Sequence, residues 1–431
     1  MIKTQDFISE LRWRGMLHQV TPATEAQLSR ESTAGYIGFD PTAPSLHIGN
    51  LATILLLKHF QRAGHKPIIV LGGATGMIGD PSGKTTERKL LAEETLRVNQ
   101  THIQQQLMQF LDFSDGVNGA VLLNNMDWFK AMDLLQFLRI VGKHLPVNYM
   151  MAKESVKARL AHGISFTEFA YQLLQGYDFY HLYANRNVKL QMGGADQWGN
   201  LTTGIEIIRR KLGGHAFALT TPLITQANGQ KFGKTEQGNI WLSSRMTSPH
   251  TFYQFWLNGE DEDAYTWIKV FTLLTRAKIE SCIAQHKRAP HRRMLQSVLA
   301  KELTIMVHGE PIFKQVEQAA HILFGKASSE DLRQLDEPTL LTLFADAPQV
   351  RVSRAQWTHA VDLPSLLSSE IHEKGYISKG EVRRIIQGGG LRINKLRVTA
   401  MHQLSDFVPL HEKYLLVQQG KKHYYLIVIH G

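Results

Sequence analysis

Short apolar runs that end in glycine or polar residues recur through the first 225 residues, with longer helix-spaced segments between them. AGYIGFD (34–40) predicts a strand running into a turn, PIIVLGG (67–73) a buried strand ending in glycines, and AVLLNN (120–125) and VKLQMGG (188–194) a third and a fourth strand. A polar helix over about 88–111 falls between the second and third of these. Strands alternating with helices predict an α/β domain built on a parallel sheet covered on both faces. Ligands in such sheets sit at the carboxyl ends of the strands, where these glycines and polar residues cluster. From Ser248 to about Ile322 helical periodicity takes over, and a polar stretch around Pro348 (about 346–356) reads as a linker. From about Val361 the chain reads as a small α+β unit ending in YYLIVI (424–429), a further strand. The predicted boundaries are 1–247 for the α/β domain, 248–330 for a helical domain, 331–360 for a linker and 361–431 for the terminal unit.

Length supports this division, because 431 residues exceed what one compact core holds. The 48 Lys and Arg against 38 Asp and Glu leave a net charge of +10. That excess points either to a polyanionic partner, nucleic acid above all, or to a solvated basic surface. The single cysteine, Cys282, excludes a disulfide framework and a cysteine-rich metal site, and favours a reducing cytoplasm. The longest apolar run, Leu51–Leu57, is too short to span a bilayer. MIKTQDFISELRWRG at the start lacks the apolar block of a signal peptide.

Residues 71–89, LGGATGMIGDPSGKTTERK, come close to a phosphate-binding P-loop. The spacing fails, because a P-loop ending at Gly83-Lys84-Thr85 needs glycine at 78, which is Ile78. Pro81 also removes a backbone N–H from the loop. Sharper chemistry lies upstream in GFDPTAPSLHIGNL (38–51). There His47-Ile48-Gly49-Asn50 opens a helix whose N-terminus favours negative charge. Gly49 lets a flat adenine–ribose unit lie on the backbone, and His47 is placed to donate to a phosphate. Far downstream, Lys231-Phe232-Gly233-Lys234-Thr235 follows PLITQANGQ, which reads as a strand and a tight turn. Its two lysines can close over the β- and γ-phosphates of a nucleotide. Alone, each motif has a plainer reading: a loop histidine before an ordinary helix, and a surface lysine loop. Together on an α/β pattern they point to a nucleoside triphosphate.

The pair resembles the HIGH and KMSKS signatures of class I aminoacyl-tRNA synthetases. The stretches YIGFDPTAPSLHIGN, GATGMIGDPSGKTTER, SFTEFAYQLLQGYDF, QMGGADQWGN and KFGKT are similar to bacterial-type tyrosyl-tRNA synthetases over essentially the whole chain. That resemblance implies a Rossmann-like catalytic domain that joins tyrosine to the α-phosphate of ATP, expels pyrophosphate and passes tyrosine to tRNA(Tyr). It implies that Thr42 and His47 face the γ-phosphate, that Lys84 and Arg88 close on the pyrophosphate, and that Lys231, Lys234 and Thr235 complete the clamp. Tyr36 and Asp178 resemble the pair that hydrogen-bonds the substrate phenol, which a phenylalanine would leave unpaired. Tyr171, Gln175 and Asp80 match residues that hold the α-ammonium, with Asn125 in support, and Asp40, Gln191 and Gln197 line the same pocket. Asp196 falls where the family binds the ribose hydroxyls, and Gly38, Gly49, Asn50 and Gly194 belong to the ATP site. Asn50 departs from the last histidine of HIGH, and Phe232-Gly233 from Met-Ser of KMSKS. ATP with Mg2+ is expected as substrate, without a dedicated protein metal site.

KGYISKGEVRRIIQGGGLRINKLR (374–397) holds seven Lys or Arg and one Glu, and reads as a helix, a glycine turn and a strand. It resembles an S4-type RNA-binding domain in which Arg383, Arg384, Arg392, Lys395 and Arg397 track an RNA backbone. The helical region with HKRAPHRR (286–293) is the expected anticodon-side domain. The family further implies a homodimer with tRNA across both subunits. Two alternatives stay open at this point: tryptophanyl-tRNA synthetase, which shares the signatures, and a non-catalytic RNA-binding descendant.

Overall fold

A computed structural model describes residues 6–83, 90–160, 163–227, 229, 232–235, 238–324, 328–344, 347–360, 362–370, 378–420 and 423–431. The chain divides into two compact units. The first runs through Thr247 and takes in Phe255–Val307; the second comprises Ser248–Gln254 and His308–Gly431.

The first unit is built on a sheet of β1 (Gln19–Val20), β2 (Ala34–Phe39), β3 (Lys66–Leu71), β4 (Val121–Asn124), β5 (Val188–Gly194) and β6 (Phe217–Thr221). Their spatial order is β1-β6-β5-β2-β3-β4, parallel throughout except for antiparallel β1. Chain order reverses beside β2, whose neighbours are β3 and β5, and this is the position where an open α/β sheet forms a ligand crevice. Tyr36 on β2 stands opposite Ile68 and Gln191. It packs with Ile68, Val70, Phe179, Leu182, Val188 and Ile208 on one face of the sheet. The helices Phe166–Arg186 and Trp198–Leu212 cover that face. Ile48–Arg62, whose apolar run from Ile54 to Leu57 is buried, packs on β3 and β6 and against Asp261–Phe271.

All four strands expected in the first 225 residues are present. β6 ends just before PLITQANGQ, where a strand was expected, because Pro222 cannot continue the ladder. The tight turn after it is present, closed by Gly229 N–H to the Gln226 carbonyl at 2.9 Å.

The second unit holds a five-stranded sheet of β9 (Gln349–Ser353), β10 (Leu391–Ile393), β11 (Leu396–Arg397), β12 (Tyr414–Gln419) and β13 (His423–His430) in the order β11-β10-β12-β13-β9. Between the two sheets in sequence lies a two-stranded ladder, β7 (Lys234–Thr235) with β8 (Gly238–Asn239). One face of the five-stranded sheet packs with Leu363, Leu366, Val382 and Ile386, the other with Leu332, Leu340 and Phe344. The expected linker is therefore not a spacer. Residues 349–353 form β9, which pairs in parallel with β13 and buries Val350 and Val352. Flanking Pro348, Ser and Arg hid a strand of only two buried positions. Nor does 248–330 stand as a domain of its own, since its helices divide between the two units. Helical periodicity shows that a face is buried but not which core buries it. No helix among the described residues is long and apolar enough to cross a membrane.

Arg14 anchors the helix Asp261–Phe271 within the first unit. Its guanidinium, 2% exposed, donates to the carbonyls of Lys269 (2.6 Å), Thr272 (2.8 Å) and Leu274 (2.7 Å), while Nε pairs with Glu10 (2.7 Å). Arg14→Met leaves those three carbonyls without this donor and removes the ion pair to Glu10. We expect a loss of roughly 3–5 kcal/mol in denaturant unfolding; a loss below about 1 kcal/mol would show that water replaces the guanidinium there.

Candidate active site

The carboxyl ends of β2 to β5 open onto a cavity of about 380 Å³. β2 supplies Tyr36 and Gly38, with Asp40 just beyond it; β5 supplies Gln191 and Gly194. The turn Ala195–Gln197 adds Asp196 and Gln197, and the segments after β3 and β4 add Asp80 and Asn125. The helix Phe166–Arg186 starts at Ser165, whose hydroxyl accepts the Glu168 N–H, and presents Tyr171, Gln175 and Asp178 at i, i+4 and i+7. Thr42, His47, Gly49 and Asn50 complete the lining at the start of Ile48–Arg62. These are all the candidate residues outside the two lysine loops and the C-terminal basic segment.

At one end of the cavity polar groups are densely bonded around two carboxylates. Asp178, 4% exposed, accepts from Asn125 Nδ2 at 3.1 Å and from the Trp128 indole N–H at 2.8 Å. Burial pushes its carboxyl up to about 8; those two donors oppose the shift and the nearby Asp40 adds to it. The Tyr36 hydroxyl is buried and has no hydrogen-bond partner among the described residues. Burial, and then the charge of Asp178, raises its pKa well above the usual phenol. Asp40 accepts from Thr75 Oγ1 and the Tyr171 hydroxyl, both at 2.6 Å. Gly72 makes that first bond possible, because a Cβ there would lie 1.9 Å from Asp40 Oδ1. Asp80 accepts from Gln197 at 2.7 Å, and Asn200 links Asp80 (3.3 Å) to Gln175 (2.9 Å).

The Asn125 amide nitrogen donates to Thr75 and Asp178 and its oxygen accepts the Ala74 N–H at 2.7 Å, so it ties Asp178 to the Thr75–Asp40–Tyr171 network. Thr75, Trp128, Asn200 and Gly72 were not singled out from the sequence. Thr75 and Asn200 lie inside GATGMIG and QMGGADQWGN, where the signal was at hand, and Gly72 immediately precedes the first of these. Trp128, in NMDWFKA, belongs to no motif.

At the helix start, His47 Nδ1 accepts the Gly49 N–H at 3.0 Å and Asn50 Oδ1 accepts the His47 N–H at 3.0 Å, a reciprocal cap. An accepting Nδ1 leaves the ring proton on Nε2. Gly49 has a second reason to lack a side chain: a Cβ would sit 2.7 Å from the imidazole. The downstream motif reaches the same place through the backbone. Ile48 N–H donates to Ile240 O at 3.0 Å, Leu242 N–H to Leu46 O at 2.8 Å, and Ile240 N–H to Gly233 O at 3.0 Å. Phe232 lines the cavity and stacks on Phe271 at 5.0 Å, with Trp256 and Trp267 around it, which accounts for phenylalanine in KFGKT. Lys234 and Thr235 form β7. Lys84, Arg88 and Lys231 lie outside the described residues.

The C-terminal basic residues form a separate group in the second unit. Arg383 and Arg384 are exposed on the helix Lys379–Gln387, while Arg392 and Arg397 face each other across β10 and β11. Asn394 and Lys395 make the connecting turn with positive φ (46° and 68°). Lys395 is half-buried 5.3 Å from the Tyr424 ring, and burial, with Arg392 nearby, lowers its pKa to about 8. In HKRAPHRR, His286 is buried and Arg293 donates to the carbonyls of Leu257 and Gly259, so part of that cluster is structural.

Residues 28–325 match the family of class I tRNA synthetases for tryptophan and tyrosine, and residues 340–427 match the C-terminal domain of tyrosine–tRNA ligases. A tyrosine–tRNA ligase of Amoebophilus asiaticus is 62% identical over 98% of this chain and 99% of its own length. One from Bacteroides fragilis is 57% identical over the same shares. Among solved structures, the C-terminally truncated mitochondrial tyrosyl-tRNA synthetase of Coccidioides posadasii superposes with a TM-score of 0.64 at 30% identity, covering 72% of this chain and 91% of that one. The chain belongs to the class I tRNA synthetases, in the branch of the tyrosine–tRNA ligases.

Proposed function

We propose that the cavity activates L-tyrosine with ATP and then passes the tyrosyl group to the terminal adenosine of tRNA(Tyr). The carrying observation is a buried Tyr36 hydroxyl, without a hydrogen-bond partner among the described residues, in one cavity with the buried carboxyl of Asp178 and the helix start at His47. The substrate phenol donates to Asp178 and accepts from Tyr36, while Tyr171, Gln175 and Asp80, with Gln191 and Gln197 beside them, take the ammonium end. The substrate carboxylate attacks the α-phosphate, so no enzyme nucleophile is needed and rate comes from positioning and charge stabilisation. His47 donates through Nε2 to the triphosphate beside Thr42, and Asp196 holds the ribose hydroxyls. Gly38, Gly49, Asn50 and Gly194 shape the nucleotide side. Lys84, Arg88, Lys231 and Lys234 neutralise the departing pyrophosphate, and Thr235 donates a hydrogen bond to it. ATP enters as its Mg2+ complex, a substrate and not a resident cofactor.

tRNA binding falls to the exposed Arg383, Arg384, Arg392 and Arg397, with Lys395 packing the turn between them. A cytoplasmic setting is supported by the RNA substrate and the single cysteine. We also read the chain as a homodimer. Leu134, Leu135, Leu138, Val147, Met151 and Phe166 are large apolar side chains left exposed on neighbouring segments of the first unit.

Tyrosine-dependent ATP–pyrophosphate exchange without tRNA tests the reading; exchange driven by tryptophan instead, or none, contradicts it. Asp178→Asn is expected to raise the KM for tyrosine and to narrow discrimination against phenylalanine by about 10- to 100-fold. The raised carboxyl also sets a pH dependence. The stability it contributes is fully present below about pH 4 and is lost as pH rises toward about 8. The thermal midpoint of the ligand-free protein should thus fall from pH 5 to 8.5 by more than that of Asp178→Asn; equal falls would place the ionisation elsewhere. His47→Ala should lower the exchange kcat about 10²- to 10³-fold with tyrosine KM unchanged, and a pure KM effect would remove His47 from the chemistry. Leu135→Asp should shift the protein from dimer to monomer in sedimentation, whereas an unaltered wild-type mass would move the interface off this patch.

A further inference from the structure

Trp128 braces Asp178 from an insecure base. Its helix, Met126–Phe129, is four residues long and fully buries none of them; the indole packs, partly buried, against the clusters around Phe179 and Tyr177, but its own helix is too short to fix it. The ring is held from elsewhere. The imidazole of His181 stacks on it with centroids 4.7 Å apart and planes within 15°. Asp178 and His181 are i and i+3 on Phe166–Arg186 and share one face of that helix. One turn therefore grips the indole twice, by its N–H edge through Asp178 and by its ring face through His181. His181 is itself steadied: Asn185 Nδ2 donates to its carbonyl at 2.9 Å and lies 3.4 Å from its Nδ1, and the Tyr177 ring flanks it at 6.0 Å. Burial, and then Arg186, keep the imidazole below its ordinary range, so it stacks as a neutral ring.

We propose that His181 is a positioning residue for tyrosine selection: by covering the face of Trp128 it fixes the indole N–H on Asp178, and so sets how well that carboxylate receives the substrate phenol. The inference rests on Asp178 as the phenol acceptor. A residue serving only as packing would affect stability and both substrates alike, whereas this one acts on the phenol alone.

The test is a set of exchange assays on the full-length protein with tyrosine, phenylalanine and ATP varied in turn. His181→Ala should raise the tyrosine KM about 3- to 10-fold, lower the tyrosine-to-phenylalanine preference, and leave the ATP KM unchanged. His181→Phe keeps a flat ring on the indole and should recover most of the loss. Combining His181→Ala with Trp128→Phe should cost no more than Trp128→Phe alone, because both act through one hydrogen bond. A wild-type tyrosine KM in His181→Ala, an equal rise in both KM values, no recovery in His181→Phe, or additive losses each overturn the proposal. Asp178→Asn separates the two levels. If it leaves the tyrosine KM unchanged, the assignment beneath fails and the proposal with it; if it raises that KM while His181→Ala does not, only the role of His181 falls.

Discussion

A carboxyl group shut away from water governs the ligand cavity. Asp178 is held by two N–H donors, Asn125 and Trp128, and these oppose the rise in its pKa without cancelling it. A buried acceptor of this kind gains most from a ligand that brings its own donor. The Tyr36 hydroxyl, in the same cavity and without a partner among the described residues, offers the complementary group. On the proposed reading a hydroxylated aromatic ring bonds to both; a plain one leaves the Tyr36 hydroxyl unpaired and Asp178 with only its two protein donors. Much of the first unit serves this arrangement. β2 delivers Tyr36, the close of β4 delivers Asn125, and a helix capped by Ser165 delivers Asp178.

The other end of the cavity rests on a different constraint, a helix start whose first N–H groups are already bonded: Ile48 to the Ile240 carbonyl, Gly49 to His47 Nδ1 and Asn50 to the His47 carbonyl. His47 and Asn50 cap that start, and the cap fixes which imidazole nitrogen carries the proton. The lysine-bearing segment is tied beside it by backbone hydrogen bonds from residues 240–242 to residues 46–48. Two motifs far apart in sequence thus share one cavity wall, with Phe232 anchored in an aromatic cluster behind it.

The central strands were legible because a strand buried on both faces is a continuous apolar run, and here each ends in glycine or a polar turn. β1, two residues long, carries too little pattern to read, and FALTT of β6 was displaced onto the residues after Pro222. β9 was hidden by its polar surroundings. The candidate residues came together because the motifs sit at strand ends and helix starts, where topology alone converges them. What the sequence could not convey was which side chains touch. Gly72 is required by the reach of Asp40 to Thr75, Asn125 turns toward Asp178, and Trp128 enters from a helix with no signature. Each depends on contacts between segments about 30 to 50 residues apart, which neither periodicity nor spacing encodes.

Calorimetric titration of the protein with tyrosine and with phenylalanine, in the absence of ATP and tRNA, tests the central claim most directly. Two buried polar groups that need a phenol predict tight, saturable binding of tyrosine and at least about 10-fold weaker binding of phenylalanine. Comparable affinities for the two would show that the cavity recognises the ring and not its hydroxyl, and would contradict the account.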